Sequence, residues 1–161
     1  MYIRKSTEKD VSAIAAIYEN AKRFMHTNGN PTQWAQGYPN AENALDDVRD
    51  GVGYVCEEDG RILAVFMFKI GEDPTYKKIY DGNWLDDEPY AVIHRIAVAE
   101  QGKGVAGFCF DECFKLYPNL KIDTHKNNFP MHHALARAGF KYCGIIHLLN
   151  GEERMAYQKN K

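Results

Sequence analysis

The chain has 161 residues, 45% hydrophobic and 26% charged, with a formal net charge of −2. That length fits one domain with a substantial core, and a charge so close to balance gives no electrostatic reason to expect nucleic acid or an anionic membrane as partner. No apolar run is long enough to span a bilayer and the N-terminal MYIRKSTEKD is too polar for a secretory signal, so a cytoplasmic location is expected.

Taken in order, residues 2–5 predict a short strand, and Thr7 with Asp10 predicts a capped helix start. Val11, Ile14, Ile17, Tyr18, Ala21 and Phe24 mark one face of that helix, which ends near His26. HTNGNPTQWAQGYPN is dense in turn residues and reads as loop, yet it keeps Trp34 and Tyr38. Asn40 caps a second helix closed by Gly51, and strands at 52–57 and 62–70 flank the hairpin signal Asp59-Gly60. Residues 71–90 form a long irregular segment rich in carboxylates and aromatics, including Tyr80 and Trp84. Loops of that length within a domain are usually functional or disordered, and the aromatics favour function.

Val92, Ile93, Ile96 and Val98 predict a buried central strand. Period-two alternation would put His94 on one face with Val92 and Ile96, and Arg95 on the other. A glycine-bearing turn follows, then an amphipathic helix from Val105 to Tyr117, stopped by Pro118. Backbone amides ahead of a helix N-terminus favour an anion, so a phosphorylated ligand is expected at the turn. Leu120 to Thr124 predict a strand parallel to the central one, as the crossover helix implies. A helix from Asn128 to Ala138 and strands near 140–149 and 153–158 complete the chain. The four cysteines lie in apolar contexts without a C-x-x-C pair and are expected to be free thiols.

Two patterns compete for the turn. Gly102, Gly104 and Gly107 satisfy G-x-G-x-x-G, with Asp123 about twenty residues on, as a dinucleotide site requires. Too little chain follows for two βαβαβ halves, and Ala99-Glu100-Gln101 separates the strand from the first glycine. Gln101, Gly104 and Ala106 instead satisfy R/Q-x-x-G-x-G/A. With the preceding strand and the later NFPMHHALARAGF, the chain resembles the GNAT superfamily of N-acetyltransferases over nearly its whole length.

That resemblance implies an α/β (α+β) fold in a single domain over 1–161. Its mixed, mostly antiparallel sheet would have about six or seven strands and about four flanking helices, with one parallel pair splayed at the cofactor site. It also implies acetyl-coenzyme A as cofactor. The main chain of Ile96, Ala97 and Val98 would meet the pantetheine arm. Gln101, Gly102, Lys103, Gly104, Val105 and Ala106 would cradle the diphosphate, and Asn128 would contact the arm. The acceptor would be a small-molecule or peptide amine, with neither nucleic acid nor membrane as partner and a homodimer left open. Many family members carry a tyrosine acid four residues before the final glycine of this helix; here Leu135 stands there.

Acetyl transfer to an alkyl amine must remove a proton, because with a pKa of about 10.4 only roughly one molecule in a few thousand is neutral at pH 7. The leaving thiolate is less demanding, since a thiol pKa is about 8.5. His94 is the first candidate for the base, against the alternative of a hydrogen-bonded core histidine. Asp123 and His125, at the end of the parallel strand, could orient water or the amine, or serve as turn residues. Trp34, Tyr38, Tyr80 and Trp84 are candidates for the acceptor pocket, and the carboxylates of 71–90 suggest a cationic acceptor. His125, His132 and His133 lack H-x-x-x-H spacing or a companion thiolate, so no metal is expected. A sensor that binds acyl-coenzyme A without transfer is the alternative from another class.

Overall fold

Seven strands and four helices organise the described residues, 1–34 and 37–161, of the computed structural model. The part of the predicted loop at 35–36 lies outside them. The first strand, β1 (Tyr2–Lys5), leads through a 3-10 turn at Glu8–Asp10 into helix α1 (Val11–Thr27). Asp10 accepts from the Thr7 amide at 2.8 Å and from Arg4 Nη1 at 2.8 Å, so the cap is also an ion pair. Helix α2 (Ala41–Arg49) starts where the Asn40 side chain accepts from the Glu42 and Asn43 amides. Strands β2 (Gly53–Glu58) and β3 (Arg61–Ile70) turn at Asp59 and Gly60, both at positive φ as a tight hairpin needs.

The central strand β4 (Ala91–Val98), helix α3 (Val105–Leu116) and strand β5 (Asn119–Thr124) form the crossover. Helix α4 (Phe129–Arg137) and strands β6 (Lys141–His147) and β7 (Glu153–Asn160) follow. The sheet order is β1-β2-β3-β4-β5-β7-β6, and only β4 and β5 run parallel. One parallel pair rules out two βαβαβ halves, and with them the dinucleotide fold. That pair is short: Ala91 faces Leu120, Val92 faces Lys121, and the strands then part.

One face of the sheet packs against α3 and α4, with Phe110, Cys113 and Leu135 in its core. The other packs against α1 and α2 around Ile14, Tyr18 and Ala44. Further along that second face lies segment 71–90, whose Tyr76 and Tyr90 pack on Val92 and Ala156. The segment is tightly docked. A Cβ at Gly82 would stand 1.9 Å from the Cys143 carbonyl oxygen, so only glycine fits there. All four cysteines are free and buried. No helix among the described residues is long and apolar enough to cross a membrane.

The simple alternation expected for β4 fails at one point. Val65 faces Ala97 and Met67 faces His94, so Phe66 alone opposes two residues, Arg95 and Ile96. Arg95 sits at φ +52° in this bulge. The extra residue moves Ile96 onto the α3 face with Ile93, whereas His94 shares its face with Val92 and Ala97. Arg95 also reaches the α2 side, where Nη2 meets Asp47 Oδ1 at 2.6 Å and Oδ2 at 2.7 Å.

Candidate active site

The parting of β4 and β5 opens a trough with three connected parts. At the glycine turn is a hollow of about 440 Å³, lined by Gln101 through Gly107 and by His133 and Arg137 of α4. A narrow neck of about 70 Å³ runs between α1 and α4 past Ile96, Ala97, Val98 and Asn128. Beyond it a cleft of about 500 Å³ contains His94, Asp73 and Asp123. Ile96, Asn128 and Met131 line both neck and cleft, while Val98, Gln101 and Ala106 line both neck and hollow.

The hollow is made by backbone. Gly102 and Gly104 stand at φ +76° and +73°, a region that costs other residues a clash with their own carbonyl. The first bond of α3 runs from the Phe108 amide to Gly104 O at 3.1 Å. Among the described residues, the amides from Gln101 through Gly107 donate to no protein acceptor, so the turn offers a row of donors to an anion. A Cβ on Gly102, Gly104 or Gly107 would meet nothing within 4 Å. Gly107 is therefore not the close helix–strand packing glycine of a dinucleotide fingerprint.

The cleft is made by side chains from distant segments. His94 Nε2 lies 2.8 Å from Asp73 Oδ2, and Nδ1 lies 4.0 Å from Asp123 Oδ2. Burial pushes the Asp73 carboxyl up, but bonds from His94 and from Thr75 outweigh it and hold the pKa down at about 2. An ionised Asp73 can only accept, so the imidazole proton sits on Nε2 and leaves the Nδ1 lone pair free in the neutral ring. Asp123 shows the opposite balance. Burial raises its pKa against the lowering effects of His94 and of the Tyr76 hydroxyl, which donates to Oδ2 at 2.6 Å.

Other predicted site residues divide between the cleft and elsewhere. Trp34 and Tyr38 line the cleft; Trp34 packs edge-on to Tyr18 at 5.9 Å, and the Tyr38 hydroxyl accepts from Arg95 at 3.2 Å. Tyr80 and Trp84 do not line it. Tyr80 pairs with Ile145 and stacks on His147, and Trp84 donates Nε1–H to Tyr76 O at 2.9 Å as part of the loop's own packing. His125 also stays outside: its Nδ1 accepts from the Asn127 amide at 3.0 Å, and burial lowers its pKa. Asn128 caps α4 through the Met131 amide at 3.3 Å and donates to Gln33 Oε1 at 2.9 Å. Leu135, at the position of the family's tyrosine, is fully buried. His132 Nδ1 lies 2.6 Å from the Tyr157 hydroxyl, and its Nε2 lies 3.1 Å from His125 O.

Among the cleft residues that sequence reasoning did not single out are Asp73, Gln33 and Arg154. Asp73 had a local signal. With Pro74 next to it, its carboxylate accepts from the Thr75 amide at 2.8 Å and caps a 3-10 turn at Pro74–Tyr76, which marks a fixed carboxylate without revealing its partner.

The profile of the Acetyltransferase (GNAT) family matches residues 14–140. A crystal structure of a GNAT family acetyltransferase from Streptococcus agalactiae 2603 superposes with a TM-score of 0.91 at 33% identity, over 99% of this chain and 95% of that one. Another from Listeria monocytogenes 4b F2365 gives 0.72 at 19% identity, covering 99% and 94%. The aminoglycoside acetyltransferase AAC(6')-Ib in complex with coenzyme A and kanamycin gives 0.65 at 16% identity, covering 99% and 94%. At such identities the last two speak for the fold alone. No curated protein matches the chain by sequence. The chain belongs to the GNAT acetyltransferase family, and acetyl transfer is the activity that membership implies.

Proposed function

We propose that residues 1–161 form a single N-acetyltransferase domain that moves an acetyl group from acetyl-coenzyme A to a primary amine by direct attack on the thioester. The observation that carries this reading is a histidine oriented by a carboxylate, with Nδ1 free, at the end of a trough leading from unpaired backbone donors. Those donors and the open Cα faces of Gly102 and Gly104 suit a diphosphate, and the neck past Ile96 to Val98 suits an extended arm. Bound there, acetyl-coenzyme A supplies an activated acetyl carbon.

Asp73 holds the His94 ring in one tautomer, the division of labour between orienting carboxylate and base. His94 Nδ1 takes the amine proton as the nitrogen–carbon bond forms and the carbon–sulfur bond breaks, the electron pair leaving on sulfur. Asp123, 4.0 Å from Nδ1, lies close enough to help hold the incoming amine. Beyond Val92 the edge of β4 that faces β5 has no ladder partner, which leaves main-chain donors for the oxyanion. The buried Leu135 supplies no acid, and the low demand of a thiolate leaving group makes one dispensable.

Thiol release from acetyl-coenzyme A over a panel of primary amines tests the reading. Turnover is expected on at least one amine, and His94→Ala should lower kcat by roughly 100- to 10,000-fold with coenzyme A affinity unchanged. Tight coenzyme A binding without turnover on any amine would instead mark an acyl-coenzyme A sensor.

A further inference from the structure

The carboxylates of segment 71–90 do not collect in the cleft. Asp86 is held by Asn119, Gln158 and Asn160, at 3.2, 3.2 and 2.6 Å. Glu72, Asp87 and Glu88 line a separate hollow beside Lys121. Only Asp73 reaches the cleft, and it is committed to His94. The cleft also contains two guanidinium groups, of which Arg95 meets both oxygens of the Asp47 carboxylate through Nη2.

Arg154 is not matched in that way. Its side chain is only 7% exposed, a costly position for a cation without a full set of partners. Nη1 donates to Glu153 O at 2.9 Å, and Nη2 to Gln33 O at 3.5 Å and to Glu152 Oε2 at 3.2 Å. Glu152 is 56% exposed, so water weakens that single ionic contact. A guanidinium has five N–H groups, which leaves Nε–H and one Nη1–H without a protein acceptor. Unlike Arg95 Nε, Arg154 Nε is not sealed within the protein, and the residue lines the cleft. Asp123 faces Ala156 across the β5–β7 ladder, and alternation puts Arg154 on the same face as Ala156. Arg154 is thus the diagonal neighbour of Asp123 on that face, and both line the cleft with His94.

We propose that the acceptor is an amino acid-like molecule with a carboxylate beside its amine, and that Arg154 binds that carboxylate while the amine faces His94 and Asp123. This deepens the acetyl-transfer reading and rests on it. A guanidinium that keeps N–H groups without a protein acceptor offers a carboxylate a charge-assisted hydrogen bond, so Arg154 is a specificity-determining residue and not part of the proton transfer.

The test compares free amino acids with their carboxamides in the thiol-release assay. At least one free amino acid should exceed its carboxamide by roughly 10- to 100-fold in kcat/KM. Arg154→Gln should erase most of that preference, raising KM for the acid far more than for the carboxamide. Arg154→Lys, which keeps the charge without the planar group, should retain part of it, and serves if the glutamine variant does not fold. Equal turnover of acid and amide, or an equal loss for both in the variant, would overturn the proposal.

A binding arm separates this failure from that of the transfer reading. In the presence of coenzyme A, the same free amino acids should raise the melting temperature of the wild type but not of Arg154→Gln. Such a shift without turnover on any amine would sink acetyl transfer and leave the carboxylate site standing. Absence of any shift beside turnover of simple alkylamines would do the reverse.

Discussion

The two ends of the trough are built from different materials. The hollow at the glycine turn consists of main-chain donors from seven consecutive residues, Gln101 through Gly107, fixed by two left-handed glycines. At the other end, the cleft consists of side chains from Asp73, His94 and Asp123, with Gln33 and Trp34 also lining it. A backbone site needs only local conformation to exist. A side-chain site needs every element that supports it to dock correctly. Substitutions should therefore affect the ends differently: those near the turn change ligand affinity, and those near the cleft change turnover and folding together.

Asp73→Asn should show the largest effect. It removes the ion pair that orients His94 and is expected to lower kcat by roughly 100-fold or more, with coenzyme A affinity preserved. It also changes stability in a pH-dependent way. A carboxyl held down at about 2 when folded, against an unfolded value of 3.8, stabilises the protein above the unfolded value and loses that contribution as pH falls through the folded one. Denaturation curves should therefore show a deficit of about 2 kcal/mol at neutral pH that closes between about pH 4 and pH 2. A constant difference across that window would break the assignment.

Gly82→Ala sharpens the comparison without touching a polar group. Its Cβ would collide with the Cys143 carbonyl and lift segment 71–90 from β6. A loss of about 1–3 kcal/mol is expected, with kcat falling because Asp73 moves with the segment. Coenzyme A binding, measured by calorimetry, should not change. Gly104→Ala tests the other end and should show the reverse pattern. No atom obstructs the new methyl group, so the cost is the left-handed backbone, about 1–2 kcal/mol or roughly a 5- to 30-fold loss of coenzyme A affinity. At saturating coenzyme A, kcat should stay within about twofold.

The same contrast explains what the amino-acid sequence could disclose. The hollow was legible because its residues are consecutive and their glycines have a local physical reason. The sheet was legible almost to the residue, since strand alternation and the Asp59-Gly60 turn are local signals. His94 was singled out because a polar residue stood within an apolar strand. Its partner, Asp73, was hidden 21 residues away in a segment with no periodicity. The bulge at Arg95 was invisible because nothing in AVIHRIAV departs from a regular strand; it appears only when β3 supplies one residue fewer. Tyr80 and Trp84 misled for the opposite reason. Aromatic residues in a long loop look like pocket lining, but here they fasten the loop to β5 and β6, with Lys121 Nζ 4.1 Å from the centre of the Trp84 ring.

The early divergence of β4 and β5 has a consequence for self-association. A sheet that unzips in its middle acquires two inner margins, and a bare margin is where foreign strands add and aggregates begin. Here the gap is narrow and overhung: Gln33 reaches across to Asn128 at 2.9 Å and to Thr124 Oγ1 at 3.4 Å, so this side chain bars the opening to another polypeptide. Only a slender, extended guest can thread between the margins and use their free main-chain groups, and this turns a hazard of β-structure into a means of selection.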